Sequence, residues 1–460
     1  MFRMIEKSGD LSQPGNYRPI AILSIYYKIF SRMLYDRIQP QLDDQQAHEQ
    51  CGFRPGIRIE DAIVTVENLI SATNEFNIPL WIASLDLRKA FDRIQHSFLF
   101  EALREQGLSD AEVALILDMY TEQTGTVDGN VEFPIYRGVK QGDTLSSILF
   151  NAALEHMFRK WKQRLDSQGW QIQNHLPRLT HVRFADDILL FAKSLDEIIM
   201  MLEFLKEELA EAGLEMHPDK TKIMTSDGEN TVNVIDIHGM MIWILKEDAA
   251  HRYLGRLLNL HSKRRVKIEL DNRFKSAWAA FHKHRKWLVN QYVPVGLRLR
   301  LFDAVVSPSV LFALSVLPVG KCDLQQLQVL QRRMLRLIVG WRRIDGEDWA
   351  ITMHRMKKRI SDALSHHKID DWQDKMLRHR WKFAIHVVQN SKMKWPYELS
   401  RWIPARDVSA EYQPHRLRGR PALRWDDQLH ECCGEHVGLL IKLKLNVSIG
   451  NSYWDSKIGS

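Results

Sequence analysis

The sequence predicts a mixed α+β fold, and three observations support that prediction. Two short apolar runs, residues 181–184 and 188–192, flank a pair of aspartates and have the length of paired strands. A third apolar run, residues 80–85, ends at Asp86 and is typical of another strand. Between and after these runs, apolar residues recur at the three- and four-residue spacing of helices. Strands that alternate with helices indicate a sheet with helices packed on one side.

The clearest predicted helix spans residues 194–212. Ser194 and Glu197 have the spacing of a capping box at its start, and Gly213 ends it. One face of this helix carries apolar residues at helical spacing: Leu195, Ile198, Ile199, Leu202, Leu205 and Leu209. Such a stripe predicts a core-facing helix and no chemistry of its own.

The remaining elements follow from the same rules. In chain order they are helices at 97–106 and 109–123, strands within 126–136 around a turn at 128–130, and a mostly helical pattern from about 260 that includes 323–339. Residues 396–421 show little periodicity and predict a linker before a last short helix.

Charge is divided unevenly between the two parts of the chain. Residues 1–250 hold 25 basic and 38 acidic side chains, whereas residues 251–460 hold 39 basic and 19 acidic ones, for a net charge of +20. Basic runs are often only solvated helix faces. In a chain that also carries the aspartates described next, however, a cationic half favours contacts with the phosphates of a nucleic acid.

The adjacent carboxylates Asp186 and Asp187 are the first candidate site. Aspartate is common in turns, because its side chain bonds to nearby backbone, so this pair alone is a weak signal. Nucleotidyl transfer by two metal ions requires carboxylates that hold two divalent cations about 3.5–4 Å apart. Asp86, at the end of the earlier predicted strand, supplies a third carboxylate. The three together indicate a metal site more strongly than the pair does.

Several further blocks occur in a characteristic order around these aspartates. They are Lys7-Ser8-Gly9-Asp10, Asn16-Tyr17-Arg18-Pro19-Ile20, Cys51-Gly52-Phe53-Arg54-Pro55-Gly56, Arg137-Gly138-Val139-Lys140-Gln141-Gly142-Asp143, Gly213-Leu214-Glu215, Pro218-Asp219-Lys220-Thr221 and Tyr253-Leu254-Gly255. In order and spacing the chain resembles, over roughly residues 5–255, the reverse transcriptases of non-LTR (LINE-type) retrotransposons. Residues 419–427 are similar to the tail of one retrotransposon group that carries an apurinic-type endonuclease.

The resemblance implies a right-hand polymerase fold. Its expected parts are fingers at 1–80, a palm at 81–250, a helical thumb at 251–345 and a basic C-terminal extension at 346–460. It also implies an RNA-directed DNA polymerase that copies an RNA template from the 3′ end of a DNA primer with dNTPs.

The same resemblance implies the metal ligands. Asp86, Asp186 and Asp187, with the backbone carbonyl of Leu87, are expected to hold two Mg²⁺ ions. Hard oxygen ligands together with substrate phosphates suit Mg²⁺, and Mn²⁺ is a feasible substitute.

Other positions of the family pattern imply substrate contacts. Phe91 stands where the family places an aromatic gate against a ribose 2′-hydroxyl, although a core phenylalanine explains it equally well. Gln141 and Gly142 are expected near the nascent base pair, where a glycine lets backbone approach closely. Arg18 and Arg54 match positions that could hold the triphosphate, or they are ordinary loop arginines.

Lys220 is the candidate general acid. The leaving pyrophosphate needs a proton donor beside its phosphate, and the lysine of this block occupies that position in the family. Two departures from the family pattern, Ser147 in place of proline and His217 in place of asparagine, remove no catalytic group.

Composition suggests a compartment. The N-terminal residues lack the apolar segment of a secretory signal, no apolar run looks long enough to span a bilayer, and four scattered cysteines indicate no disulfide framework. We therefore expect a soluble intracellular protein without a membrane partner, located in the nucleus if it acts in retrotransposition.

Three alternatives remain open at this level. The chain starts at the first fingers block and shows no endonuclease residues, so a separate endonuclease is an expected partner and a silent truncated copy is an alternative. A maturase-like protein that binds structured RNA is a related alternative. An RNA-dependent RNA polymerase would share the palm, but Phe91 and Ala185 argue against it.

Overall fold

The computed structural model describes residues 1–6, 10, 12, 16–127, 131–246, 248–261, 263–390, 392–404, 416–419 and 422–429. These residues fall into two compact units. Unit 1 comprises Met1–Ala62, Ile78–Lys246 and Lys392–Trp395, and unit 2 comprises Ile63–Asn77, Glu247–Ser391 and the described residues from Pro396 onward.

Unit 1 is mixed α+β, as predicted. Its strands are β1 (Phe2–Glu6), β2 (Tyr17–Ala21), β3 (Trp81–Leu85), β4 (Gln123–Val127), β5 (Val131–Ile135), β6 (His181–Phe184), β7 (Asp187–Ala192), β8 (Lys222–Thr225), β9 (Val234–Ile237) and β10 (Met240–Ile244). Its helices are α1 (Ile25–Asp44), the first turn of α2 (Ile59–Glu75), α3 (Ala90–Arg93), α4 (His96–Glu105), α5 (Asp110–Tyr120), α6 (Thr144–Arg164) and α7 (Leu195–Glu211).

A six-stranded sheet forms the centre of unit 1, in the order β6-β7-β3-β8-β10-β9. The strand β3 is buried at every residue because it lies between β7 and β8, and it pairs with β7 from Trp81 opposite Ala192 to Leu85 opposite Ile188. Helices α4, α6 and α7 contribute the apolar side chains that pack with this sheet in one core. The antiparallel register brings the end of β3 beside the start of β7.

A second sheet of four strands has the order β2-β1-β4-β5. The strand pair predicted within residues 126–136 is present, but β4 already begins at Gln123. The helix predicted for 109–123 therefore ends earlier, at Tyr120. The turn predicted at 128–130 lies outside the described residues.

Helix α7 confirms the clearest helix prediction. Ser194 is its N-cap and accepts a hydrogen bond from the Glu197 amide at 3.2 Å. The second bond of the predicted capping box, from the Ser194 amide to the Glu197 carboxylate, is replaced. That carboxylate accepts hydrogen bonds from the amides of Lys193 and Gly169. Glu197 thus joins the start of α7 to the segment before β6.

Unit 2 is mostly helical from residue 265 onward. Its elements, besides the rest of α2, are the hairpin β11 (His251–Tyr253) and β12 (Arg256–Leu258), then α8 (Arg265–Lys283), α9 (Arg285–Leu288), α10 (Val295–Val305), α11 (Ser307–Leu311), a 3-10 turn (Leu314–Val316), α12 (Lys321–Val339), α13 (Trp349–His366), α14 (Trp372–Gln389) and α15 (Trp395–Arg401). The helix predicted at 323–339 corresponds to α12. The last short helix predicted after residue 421 falls mostly outside the described residues.

One helical stretch, Val295–Val316, is long and apolar enough to cross a membrane by length and composition. The expectation that no run would meet this criterion was therefore wrong. More than half of its most apolar window, 56%, is buried inside unit 2. Leu299, Phe302 and Val310 are fully buried in the helical core, and a core helix passes the same test.

Candidate active site

The two adjacent aspartates lie at the tip of the β6–β7 hairpin. Phe184 pairs with Asp187 across the hairpin, which leaves Ala185 and Asp186 as the two residues of the turn. Ala185 adopts a left-handed backbone with φ of +57°. This tight turn directs neighbouring carboxylates out of the end of the sheet.

Asp86 reaches the same place from β3. Leu85 is paired with Ile188 in an antiparallel register. Asp86, which follows Leu85, therefore lies beside Asp187, which precedes Ile188. Their charges are coupled: the pKa of Asp187 is raised to about 6, first by burial and then by the charges of Asp186 and Asp86. The structure therefore brings the three predicted aspartates together.

Asp186 has a raised pKa as well. Burial is the largest cause and the charge of Asp86 adds to it, while the positive charges of Arg18 and Lys220 act in the opposite direction. Carboxylates that resist ionisation in this way are stabilised by any additional nearby cation.

The segment before α2 packs against the turn of the aspartate hairpin. Gly52 approaches the turn so closely that an added Cβ would lie 2.4 Å from the Ala185 amide nitrogen. The Gln50 side chain accepts hydrogen bonds from the amides of Gly52 and Ala185, and the Asn151 side chain donates to the Gly52 carbonyl at 2.8 Å. A glycine at position 52 is therefore required for this close approach.

A buried ion pair lies on the adjacent strand. The Arg183 guanidinium is fully buried, contacts Glu155 at 2.5 Å and stacks over the ring of Phe158. The backbone of Arg183 also bonds to residues 49 and 51 in both directions. The sequence showed no sign of this pair, since its two residues belong to separate helix and strand patterns.

Lys220 contacts the first aspartate. Its ammonium lies 3.3 Å from Oδ1 and 3.4 Å from Oδ2 of Asp86. The loop that carries it is held by backbone bonds: the His217 amide donates to the Asp86 carbonyl at 2.7 Å, and the Arg88 amide donates to the Glu215 carbonyl at 2.9 Å. Leu87 lies buried between these bonds and pairs with Met216.

The surroundings of Phe91 are compatible both with an aromatic gate and with a core phenylalanine. Its ring stacks on Phe150 with 4.3 Å between centroids and meets the exposed Phe53 edge-on at 6.2 Å. It packs against the core but remains partly accessible. The ring is therefore held in place by packing while one part of it faces solvent.

The loop with Gln141 and Gly142 is joined to strand β2. The Ala21 amide donates to the Gln141 carbonyl at 2.7 Å. Gly142 has a φ of +107°, and an added Cβ would lie 3.1 Å from the Ala21 carbonyl oxygen. The glycine thus permits a close approach to β2, the strand that also carries Arg18.

Beside this loop lies a partly buried polar cluster that the sequence did not reveal. The Lys140 ammonium donates to the Tyr27 hydroxyl at 2.7 Å and to the Met119 carbonyl at 3.0 Å. Ser31 donates to the Asp143 carboxylate, and Asp143 is the N-cap residue of α6. Burial lowers the pKa of Lys140 to about 8, against an opposing effect of Asp143.

The two arginines predicted to bind triphosphate differ in exposure and in their distance from the aspartates. Arg18 is exposed on β2 and close enough for its charge to act on Asp186. Arg54 is buried, forms an ion pair with Asp43 at 2.8 Å and donates to the carbonyls of Ala47 and Gln50. The structure does not bring Arg54 to the aspartates, because its guanidinium is occupied in holding α1 to the next segment.

The donor set fits magnesium. Among the described residues, no group of three His, Cys, Asp or Glu side chains already has the arrangement of a metal site. Mg²⁺ in such enzymes is usually held by one or two carboxylates together with substrate phosphates and water. Two aspartates with raised pKa values, a third beside them and oxygen donors alone are compatible with that mode of binding.

Comparison with known proteins identifies the first half of the chain. Residues 5–258 match the sequence profile of the family described as "Reverse transcriptase (RNA-dependent DNA polymerase)". The matched residues contain the three aspartates, Phe91, the 137–143 loop and Lys220.

Individual relatives are retrotransposon proteins. The "Retrovirus-related Pol polyprotein from type-1 retrotransposable element R2" of Popillia japonica is 33% identical over 195 residues, covering 41% of this chain and 26% of the relative. The R2DM polyprotein of Drosophila melanogaster is 28% identical over 220 residues, covering 47% and 20%. This chain thus spans about a quarter or less of the length of these relatives.

Solved telomerase structures show a weaker similarity. The apo telomerase of Candida tropicalis is 12% identical, with 86% of this chain and 68% of that chain covered at a TM-score of 0.43. At that TM-score the likeness adds nothing to the family match.

Proposed function

This chain belongs to the reverse transcriptase (RNA-dependent DNA polymerase) family, and we propose that it is an active polymerase of a non-LTR retrotransposon. In this proposal it extends a primer 3′-hydroxyl with dNTPs on an RNA template. The observation that carries the proposal is the convergence of Asp86 with Asp186 and Asp187 at one end of the six-stranded sheet. Related proteins of R2 elements support the retrotransposon setting.

The aspartates are the proposed metal-binding residues. Asp86, Asp186 and Asp187, with the Leu87 carbonyl, would hold two Mg²⁺ ions. Such ions, when bound, lower the pKa of the attacking hydroxyl and neutralise charge on the phosphates. The raised pKa of Asp187 supports the assignment, because the aspartates gain most from a cation that reduces their mutual repulsion.

Lys220 is the proposed proton donor. In the transfer, the primer 3′-oxygen forms a bond to the α-phosphorus, the bond from that phosphorus to pyrophosphate breaks, and the hydroxyl proton leaves to solvent. The Lys220 ammonium gives a proton to the departing pyrophosphate. Its contact with Asp86 supports this role, and a half-exposed pair of this kind exchanges easily.

The substrate contacts follow from the same geometry. Phe91 is proposed to exclude a ribose 2′-hydroxyl, because its stacking on Phe150 prevents the ring from yielding. Arg18 is proposed to contact the triphosphate, and Gln141 with Gly142 to border the nascent base pair. Arg54 is left out of the proposed substrate contacts because it is buried with Asp43.

The wider setting is also a proposal. The template would be element RNA and the primer a nicked genomic strand, which places the reaction in the nucleus. We assign the nicking activity to an endonuclease outside this stretch of sequence. The basic C-terminal half would contact the phosphates of the template and primer.

Primer extension with dNTPs and Mg²⁺ on an RNA template tests this function. We expect extension by the wild-type chain and its loss in Asp186→Asn, which removes one charge at nearly constant size. Asp196→Asn, an exposed aspartate in the first turn of α7, is the matched control and should retain activity. Equal extension by Asp186→Asn would refute the metal assignment. RNA binding without extension by any variant would instead favour the RNA-binding alternative.

A further inference from the structure

An exposed aromatic pair lies at the junction of helices α12 and α13 of unit 2: Trp341 is in the connecting loop, and Trp349 is the first residue of α13. The rings of Trp341 and Trp349 are 5.8 Å apart between centroids and tilted by 52°. Trp341 is 36% exposed and Trp349 is 56% exposed. Two neighbouring tryptophans this accessible are uncommon on a surface that contacts only water.

The loop that carries Trp341 is held in one conformation. Arg355 of α13 forms an ion pair with Glu347 at 2.7 Å and donates to the Arg342 carbonyl at 2.8 Å. Thr352 donates to the same Glu347 carboxylate at 2.7 Å. These hydrogen bonds lower the pKa of Glu347 to about 2, so the carboxylate stays charged and paired at any physiological pH. These contacts join the loop that carries Trp341 to the first turns of α13, where Trp349 lies.

Positive charge surrounds the aromatic pair. Arg336 of α12 approaches the Trp341 ring at 5.5 Å, and Arg342 and Arg343 are exposed in the loop itself. Of the three acids in the loop, Glu347 is paired with Arg355 and Asp348 accepts from the Ala350 amide as the N-cap of α13. The third is Asp345. The surface thus combines flat apolar rings with an excess of cationic groups.

This combination favours a polyanion with flat rings. Protein interfaces also use arginine and tryptophan. Here, however, one arginine lies over the Trp341 ring and two more are exposed in the loop, and this charge favours an anionic partner. Single-stranded nucleic acid has phosphates for the arginines and bases that stack on aromatic side chains without a strict sequence requirement. A duplex offers the phosphates, but its bases are already stacked on each other.

We propose that Trp341 and Trp349, with Arg336, Arg342 and Arg343, form a binding site for an unpaired segment of a nucleic acid strand. The site takes bases by stacking and phosphates by charge. It is separate in sequence from the proposed polymerase residues, and binding requires no catalysis. The proposal therefore does not depend on the polymerase activity.

The test uses the full chain and end-labelled oligonucleotides, with binding followed by fluorescence anisotropy at fixed salt. The probes are a 12-nucleotide uridylate strand, the thymidylate strand of equal length, an abasic strand with the same phosphates and a 12-base-pair RNA duplex. The variant is W341A/W349A. The matched control is W243A, which removes a tryptophan with 56% exposure from strand β10 of unit 1, outside the basic half of the chain.

We expect W341A/W349A to bind the uridylate strand roughly tenfold or more weakly, as loss of base stacking predicts, with little change for the abasic strand or the duplex. W243A should bind like the wild type. In contrast, R342A/R343A should weaken all four probes and reduce the salt dependence, because it removes phosphate contacts. The thymidylate strand distinguishes RNA from DNA: the strand with the larger tryptophan-dependent difference is the ligand.

Two results would overturn the inference. W341A/W349A could bind the uridylate and thymidylate strands as well as the wild type does. Alternatively, it could lose affinity for the bases and the abasic strand equally, which would give the tryptophans a structural role only. Neither result bears on the Asp186→Asn experiment, which measures extension, so the two proposals fail separately.

Discussion

The Lys220 ammonium lies 3.3 Å from the Asp86 carboxylate, so the proposed proton donor contacts a proposed metal ligand. Both side chains are partly exposed, 59% for the lysine and 39% for the aspartate. An exposed pair of this kind contributes at most about 1 kcal/mol to stability, since water screens it. Its position therefore has more consequence for chemistry than for folding.

Replacing Lys220 should slow the chemical step. Proton transfer by a positioned side chain contributes about 10²- to 10⁴-fold, so we expect K220A to lower the single-turnover extension rate by roughly 10²-fold or more. K220R should recover little, because a guanidinium holds its proton much more tightly than an ammonium and is a poor proton donor. Lys160→Ala, which removes a surface lysine paired with Glu211, is the control. A full rate in K220A would assign the proton to water.

Phe91 should control the choice of sugar. Phe91→Ala opens space beside Phe150 and should reduce the preference for dNTP over NTP by roughly 10- to 200-fold, the usual range for one hydrophobic contact. The measurement is the ratio of kcat/KM for the two nucleotides. Phe91→Tyr keeps a ring of similar size and should keep the preference. Equal preference in Phe91→Ala and the wild type would make Phe91 a core residue only.

Gly52 should be necessary for the aspartate hairpin. Gly52→Ala places a Cβ 2.4 Å from the Ala185 amide nitrogen, so the turn with Asp186 must shift. Because displacement of reacting groups by about 1 Å can cost about 10²-fold, we expect a large loss of extension. Gly228→Ala is the control, since an added Cβ there meets nothing within 4 Å. Thermal unfolding of both variants separates a displaced hairpin from a lost fold.

Lys140 should make stability depend on pH. The pKa of Lys140 falls from 10.5 to about 8 on folding, mainly through burial beside Tyr27 and Tyr120, with Asp143 opposing it. Between these two values the unfolded chain binds more protons than the folded chain, so the stability rises with pH. Below about pH 8 both states are protonated and this rise is absent.

The comparison with K140M isolates this effect. We expect the urea midpoint of the wild type to rise relative to that of K140M between pH 8 and 9.5. Measurements should stop below pH 10, because burial raises the pKa of Tyr27 and of Tyr120, and their retained protons oppose the lysine effect above that point. A constant difference between wild type and K140M across this range would contradict the lowered pKa of Lys140.

Much of the local structure could be read from the chain. The β6–β7 hairpin, the strand before Asp86 and helix α7 were predictable because each depends on side-chain periodicity and turn residues within a short segment. The predicted bounds of an element were wrong where pairing with another segment outweighed the local pattern. Gln123, for example, reads as the end of a helix but begins β4, since pairing with Ile135 outweighs its helical propensity.

Some of the predicted site residues lie together in the structure, and others do not. The family pattern proposed the three aspartates and Lys220, and the structure brings these residues together. It also suggested Arg54 for the triphosphate, whereas the structure buries that guanidinium with Asp43. An arginine in a loop has no local signal that distinguishes an ion pair with α1 from a substrate contact.

The mixed α+β fold and the family were predictable from the chain alone, and so was the choice of the three aspartates as candidates, because periodicity, turn chemistry and motif order are properties of short segments. Which segments come into contact is visible only in the folded chain. The contact of Lys220 with Asp86 joins residues 134 apart, and that of Lys140 with Tyr27 joins residues 113 apart. Such contacts depend on the register of the strands and on the close approach of Gly52 to Ala185, which the packing of the whole unit sets.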